Sequence, residues 1–235
     1  MHIAKTYKYA MFFVGLVALS ICAPNAKGQA EPRDCESKLM VAIHKHDAPE
    51  AIRLIKSGEN KAAVTCASAN PLLLEALSTQ QPDIAIALIN SGEDVNKSDT
   101  DGTTPLISAS FYCQAEVVPL LLAKGARIEA ADMLGNTALL VASLGHCPDN
   151  HLVQTLIKNG ANIKHISTSG QTPLLLAARY GDEVAVRVLV EKGADPCAKD
   201  NDGRTALSNA QNKEVKRTAA FDHIVDFLLK NSHCE

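Results

Sequence analysis

The chain has 235 residues, 46% of them hydrophobic, 4% aromatic and 21% charged, with a formal net charge of −3. That length and apolar share fit one or two folded globular units. Beyond residue 30 the acids outnumber Lys and Arg by 26 to 20, a net charge of −6, which argues against nucleic acid or an anionic membrane surface as the partner.

The first thirty residues are of a different kind. Lys5 and Lys8 precede the apolar run Ala10 to Ala23, and Gly28-Gln29-Ala30 offers small residues at a cleavage site. That three-part layout predicts a secretory signal over 1–30. The run is shorter than the roughly 20 residues that span a bilayer. Ile21 before Cys22 is too large for a lipoprotein site. The expected mature chain therefore begins near Glu31, is exported to a periplasm or secreted, and touches no membrane beyond its signal. It keeps six cysteines, Cys35, Cys66, Cys113, Cys147, Cys197 and Cys234, an even set that reads as a disulfide framework in an exported chain.

From there on the chain repeats itself. Short apolar helices are predicted to open at Ser37, Asn70, Thr104, Thr137, Thr172 and Thr205, with steps of 33, 34, 33, 35 and 33 residues. Each is followed by a second helix that stops at Gly58, Gly92, Gly125, Gly160 or Gly193, with Ser232 in that place at the end. In the stretch 170-GQTPLLLAARYGDEVAVRVLVEKGADP-196, Pro173 suits a first helical position. Leu174, Leu175, Ala177 and Ala178 then run on a helical period, and Val184, Val186, Val188, Leu189 and Val190 restart it after Gly181. Neither helix is long enough to stand alone in water, so each must bury its apolar stripe against a neighbour. A fixed period of this length means stacked supersecondary units.

The copies TTPLISASFY (103–112), NTALLVASLG (136–145), QTPLLLAARY (171–180) and RTALSNAQNK (204–213), followed by LLLAKGARIEAAD, TLIKNGANIKHI and VLVEKGADPCAKD, resemble the ankyrin repeat. The resemblance covers essentially all of residues 31–235. It implies an all-α solenoid of about six helix-turn-helix layers joined by β-hairpin-like turns, with repeats near 35–65, 66–98, 99–131, 132–166, 167–199 and 200–235. Turn glycines follow Asp101, Leu134, Ser169 and Asp202. Thr104, Thr137, Thr172 and Thr205 are expected to cap the first helices. Layer one, with Lys38, His44, Lys45 and His46, reads as an end cap, and the last layer gains an insertion around Lys213 to Thr218.

In this family the turn tips and the C-terminal ends of the first helices line a concave face that contacts partners. Carried over position by position, that face holds Thr100, Asp101, Phe111 and Tyr112 from layer three, and Met133, Leu134, Asn136 and Leu144 from layer four. Layer three also gives Thr103, layer five adds Thr168, Ser169, Gln171, Arg179 and Tyr180, and layer six Asn201, Asp202 and Arg204. Four of the nine aromatics fall in the signal, and Phe111, Tyr112 and Tyr180 are three of the five that remain. Tyr and Arg are frequent interface anchors, and Met133-Leu134 at a tip adds apolar surface. The alternative for Phe111 and Leu144 is a place in the core.

The repeat register pairs the cysteines as Cys35–Cys66, Cys113–Cys147 and Cys197–Cys234, among 15 connectivities open to six cysteines. Equivalent points in adjacent layers are roughly 8–10 Å apart, so bridging at the required Cα separation needs small register offsets. The loop 145-GHCPDNH-151 brings together His146, Cys147, Asp149 and His151, which are metal-ligand types, but Cys147 has a better use in a bridge and no metal or other cofactor is assigned. No nucleophile elbow, zincin helix or phosphate loop is present. The reading is therefore a non-enzymatic, monomeric module that binds another protein, as an inhibitor, immunity protein or enzyme support. The alternative is a thiol-redox or metal-handling protein using Cys113, Cys147 and nearby histidines.

Overall fold

Threonine followed by a short apolar run, and then a loop, is written into the structure helix by helix. The computed structural model describes residues 38–58, 71–147, 151–212 and 218–231. The expected signal (1–30), Cys35, Cys66, Cys234, the expected openers Ser37 and Asn70, Asp149 and most of the insertion after Asn212 lie outside the described residues.

The described residues form twelve helices, paired two to a layer. They are α1 (Lys38–His44) and α2 (Ala48–Ser57), α3 (Leu72–Ser78) and α4 (Pro82–Asn90), and α5 (Pro105–Phe111) and α6 (Val117–Ala123). The remaining layers are α7 (Ala138–Ala142) with α8 (His151–Lys158), α9 (Pro173–Tyr180) with α10 (Glu183–Glu191), and α11 (Ala206–Ala210) with α12 (Ala219–Asn231). No named strand occurs among them, and one isolated antiparallel bridge, Ala131 to Thr137, marks the base of a turn. The fold is an all-α repeat solenoid.

Local chemistry sets where the helices begin. The hydroxyls of Thr104, Thr137, Thr172 and Thr205 accept from the backbone N–H groups of Ile107, Leu140, Leu175 and Ser208. Each satisfies one of the orphan donors of a helix N-terminus. Ser208 returns the bond to Thr205, closing a capping box. Layer two departs from the expected register. Its first helix is preceded by Pro71, one residue later than Asn70, and has no side-chain cap. Proline at that place fixes the entry angle without an acceptor.

The first helices stack in the order α1, α3, α5, α7, α9, α11. The second helices pack as α2–α4–α6 and α8–α10–α12, with slighter contact between α6 and α8. A single core runs through all the layers, including Leu39, Leu73, Leu106, Leu139, Leu174 and Ala206 from the first helices and Leu54, Leu88, Leu121, Leu156, Leu189 and Leu228 from the second. No layer could bury its stripe alone, so stability is shared between neighbours. Val184 is a correction to the apolar pattern: it is 44% exposed, because α10 turns its first residues outward.

Candidate protein-binding face

The turns between layers are built around one acceptor each. Asp99 Oδ1 accepts from the N–H groups of Asp101 (3.0 Å) and Thr103 (2.8 Å), and Asp132 Oδ1 from Leu134 and Asn136 (both 2.8 Å). Asp200 Oδ1 does the same for Asp202 and Arg204, while layer five uses Ser167 Oγ to accept from Gln171 N–H. Such side-chain turns fix the backbone without a partner strand. The tips then bond to each other. Met133 N–H donates to Asp101 O (2.9 Å), Thr168 N–H to Leu134 O (3.0 Å) and Asn201 N–H to Ser169 O (3.3 Å). Thr168 Oγ1 and Asn201 Nδ2 add bonds to Leu134 O and Thr168 O. Gly170, at φ +75°, lets Asn201 approach so closely that a Cβ there would lie 2.5 Å from Asn201 Oδ1. Layers three to six therefore share one hydrogen-bonded row of tips.

Thr100, Asp101 and Ser169 are exposed on that row. Met133 is 72% and Leu134 52% exposed. Ile166, missing from the sequence-derived face, is 61% exposed two residues before Thr168. Its signal is legible afterwards: it stands where layer six has Lys199. Asn136 and Gln171 are corrections in the other direction. Both are buried, Asn136 bonding Asp132 and Gln171 Nε2 donating to Asp200 Oδ2 (2.8 Å), so they brace the turns from within.

The ends of the first helices lie lower. Phe111, Tyr112, Leu144, Arg179 and Tyr180 are all half-buried, so Phe111 and Leu144 are neither wholly core nor wholly surface. The Phe111 ring meets Tyr112 edge-on and the His146 ring at a tilt, with centroids 5.1 Å apart in both pairs. Tyr180 packs beside Gly145, where a Cβ would come within 3.3 Å of its own. Burial, aided by the nearby Glu75 charge, pushes the Tyr112 phenol above its ordinary range. Glu75 Oε1 is also 2.8 Å from His44 Nε2, extending polar contacts along the first helices towards layer one.

The family described as ankyrin repeats (three copies) matches residues 39–132, 72–150 and 139–235. The chain belongs to the ankyrin-repeat family. An ankyrin repeat protein of fowlpox virus is 35% identical over 138 residues, which are 57% of this chain and 40% of the viral protein. An ankyrin repeat and KH domain-containing protein, mask-1, of Caenorhabditis elegans is 30% identical over 176 residues, 72% of this chain but 6% of the worm protein. The B-cell lymphoma 3 protein homolog of Mus musculus is 30% identical over 166 residues, 69% of this chain and 34% of that protein. The chain thus spans less than half the length of each of these relatives. Ankyrin repeats indicate a protein–protein interaction module.

The opposite ends of layers two to five carry a buried residue ten positions after the one that caps or precedes the first helix. Gln81 Nε2 donates to Ile43 O (2.8 Å) and Gln114 Nε2 to Leu77 O (2.6 Å), each reaching the preceding layer. Cys147 holds the same register in layer four, with its Sγ 3.8 Å from Ser110 O. Asp182 holds it in layer five, where burial raises its carboxyl against the lowering effect of bonds from the Ala185 and Val184 N–H groups. Cys113 and Cys147 are joined by a disulfide with Cα atoms 5.4 Å apart. The two stand one register apart, Cys113 nine and Cys147 ten residues after their openers, and this offset brings the layers within bridging reach. Cys197 is also disulfide-bonded, and its partner lies outside the described residues. Among the described residues no helix is long and apolar enough to cross a membrane.

Proposed function

We propose that this ankyrin-repeat chain works outside the cytoplasm as a monomeric, non-enzymatic module that grips one protein partner along the tips of layers three to five. The observation that carries this reading is Met133 and Leu134, 72% and 52% exposed on a row of hydrogen-bonded tips, with Ile166, 61% exposed, at the base of the next turn. Large apolar side chains left in water at successive turns mark an interaction surface. Tyr112 and Tyr180, half-buried at the far ends of the first helices of layers three and five, supply further contact area at low entropic cost. Asp101 and Asp202 add exposed acids to the row, the latter paired with Arg204. Support for export comes from the layout of residues 1–30 and from disulfides, which persist in oxidising compartments. A role as inhibitor, immunity protein or support for an exported enzyme fits such a face.

The test uses the mature chain as bait, followed by binding measurements with the purified partner it retains. Changing Met133→Ser and Leu134→Ser together removes exposed apolar contacts and leaves the core alone. Affinity is expected to fall by roughly thirtyfold, about 2 kcal/mol, with the circular dichroism spectrum unchanged. Equal affinity in the double variant would refute the tip row as the binding edge.

A further inference from the structure

We propose that the junction of layers three and four is a redox-gated metal site, in which Cys113, Cys147 and His146 hold a thiophilic d10 cation, zinc(II) or copper(I), once their disulfide is reduced. The ligand atoms of these three residues all lie within 4.8 Å of one another. Two thiolates on one ion at about 2.3 Å each need sulfurs no more than roughly 4 Å apart. Backbones 5.4 Å apart at Cα reach that by side-chain rotation alone. Two thiolates and one imidazole are a soft donor set, suited to these cations over magnesium or calcium. Three donors complete a trigonal copper(I) site, or leave a fourth, water-filled position on tetrahedral zinc.

His146 is anchored beside the pair through one ring nitrogen. Its Nε2 is hydrogen-bonded to Phe111 O, and its ring lies against the Phe111 ring. An Nε2–H donated to a backbone carbonyl leaves the lone pair on Nδ1, which is how outer-shell bonds orient a metal-binding histidine. This set differs from the one suggested by the loop sequence alone. Cys113, from the preceding layer, takes the place that Asp149 and His151 seemed to fill.

The dithiol state is provided for as well. Cys147 Sγ lies 3.8 Å from Ser110 O and Cys113 Sγ 3.9 Å from Phe111 O, so each thiol has an acceptor waiting. The Cys147 contact repeats the bonds that Gln81 and Gln114 make in layers two and three. Reduction thus leaves a rung of the same interlayer series in place, and the stack persists. Cys113 is part-exposed whereas Cys147 is 9% exposed, so an incoming thiolate attacks Cys113 Sγ and expels the Cys147 thiolate. A dithiol reductant supplies two electrons and two protons and becomes its own disulfide. The cation then displaces the two thiol protons to solvent, and a disulfide oxidant that takes two electrons from the two thiolates, becoming a dithiol, reforms the bond and releases the cation.

The experiment compares the mature chain in oxidised form and after reduction, with the reductant removed. Zinc is the first probe, read by elemental analysis and dye competition, and copper(I) is the second, read with a chelator. Cobalt(II) in place of zinc reports thiolate ligation through its charge-transfer absorption. Because other cysteines are also freed, the decisive quantity is the difference from Cys113→Ser and Cys147→Ser, where serine keeps a donor for the local carbonyls. Reduced wild type should bind one equivalent more than either variant, with a matching charge-transfer band, and the oxidised chain should show no such band. His146→Ala should weaken that equivalent by roughly tenfold or more. The proposal is overturned if reduced wild type and the serine variants bind alike with both metals. It is equally overturned if His146→Ala binds as wild type does, or if the reduced chain loses its helical spectrum before metal is added.

Discussion

The carboxylate of Asp200 is nearly closed off from water yet accepts from Asp202 N–H, Arg204 N–H, the Gln171 amide and the Arg204 guanidinium. Burial alone would raise its carboxyl, but the Arg204 N–H, the Gln171 amide and the guanidinium outweigh that and hold it below the ordinary aspartate value. A group of this kind is charged more readily in the folded chain than in the unfolded one. Its contribution is fully present above the unfolded aspartate value near pH 4 and is lost as pH falls through the lower, folded value. Asp200→Asn is therefore expected to cost about 2 kcal/mol at pH 7, the range for hydrogen bonds to a charged group. The gap from wild type should close on acidification below about pH 4. Urea midpoints measured across that range check both the size and the sign.

At the scale of the element, α7 is the sharpest case, since its five residues, Ala138–Ala142, have little beyond packing and the Thr137 cap to hold them. Thr137→Ala should lower stability by about 1 kcal/mol, whereas Thr137→Ser, which keeps the acceptor, should cost much less. Chemical denaturation of the two variants side by side makes the comparison. Caps of this kind were legible in the sequence because they act over three residues: Thr104, Thr137, Thr172 and Thr205 all perform as their local context predicts. Layer two starts its first helix one residue later than the repeat register, because Pro71 precedes a helix that has no such side-chain cap. Exposure was less legible, since it depends on what the next layer presents. Val184 fits an apolar helical period yet faces water, and Ile166 sits in a turn that its own neighbours do not mark as apolar. Gln81 and Gln114 gave no signal because their bonds run to carbonyls of the preceding layer, 38 and 37 residues away in sequence.

For the molecule as a whole, the Cys113–Cys147 bond closes a loop of 34 residues at the junction where α6 and α8 touch least. The chain-entropy relation gives about 4 kcal/mol for a loop of that size. Cys113→Ser with Cys147→Ser should therefore unfold at a clearly lower urea concentration while keeping its helical spectrum in buffer. Hydrogen exchange should quicken first in α5 to α8, because the lost crosslink is local to the two layers it joins. A uniform change along all layers would mean that the bond acts on the chain globally and not at that seam.

The tips, finally, are teeth cut from a single comb. Each is tied by its main chain to the tooth before it, so none can bend far without dragging the others. A protein seating itself on Met133 and Leu134 would meet an edge whose wobble was already surrendered when the chain folded, and little further ordering would be charged against its grip. Loosening a distant tooth, such as the one at Asn201, would then blunt the bite at layer four without touching a single atom of the guest.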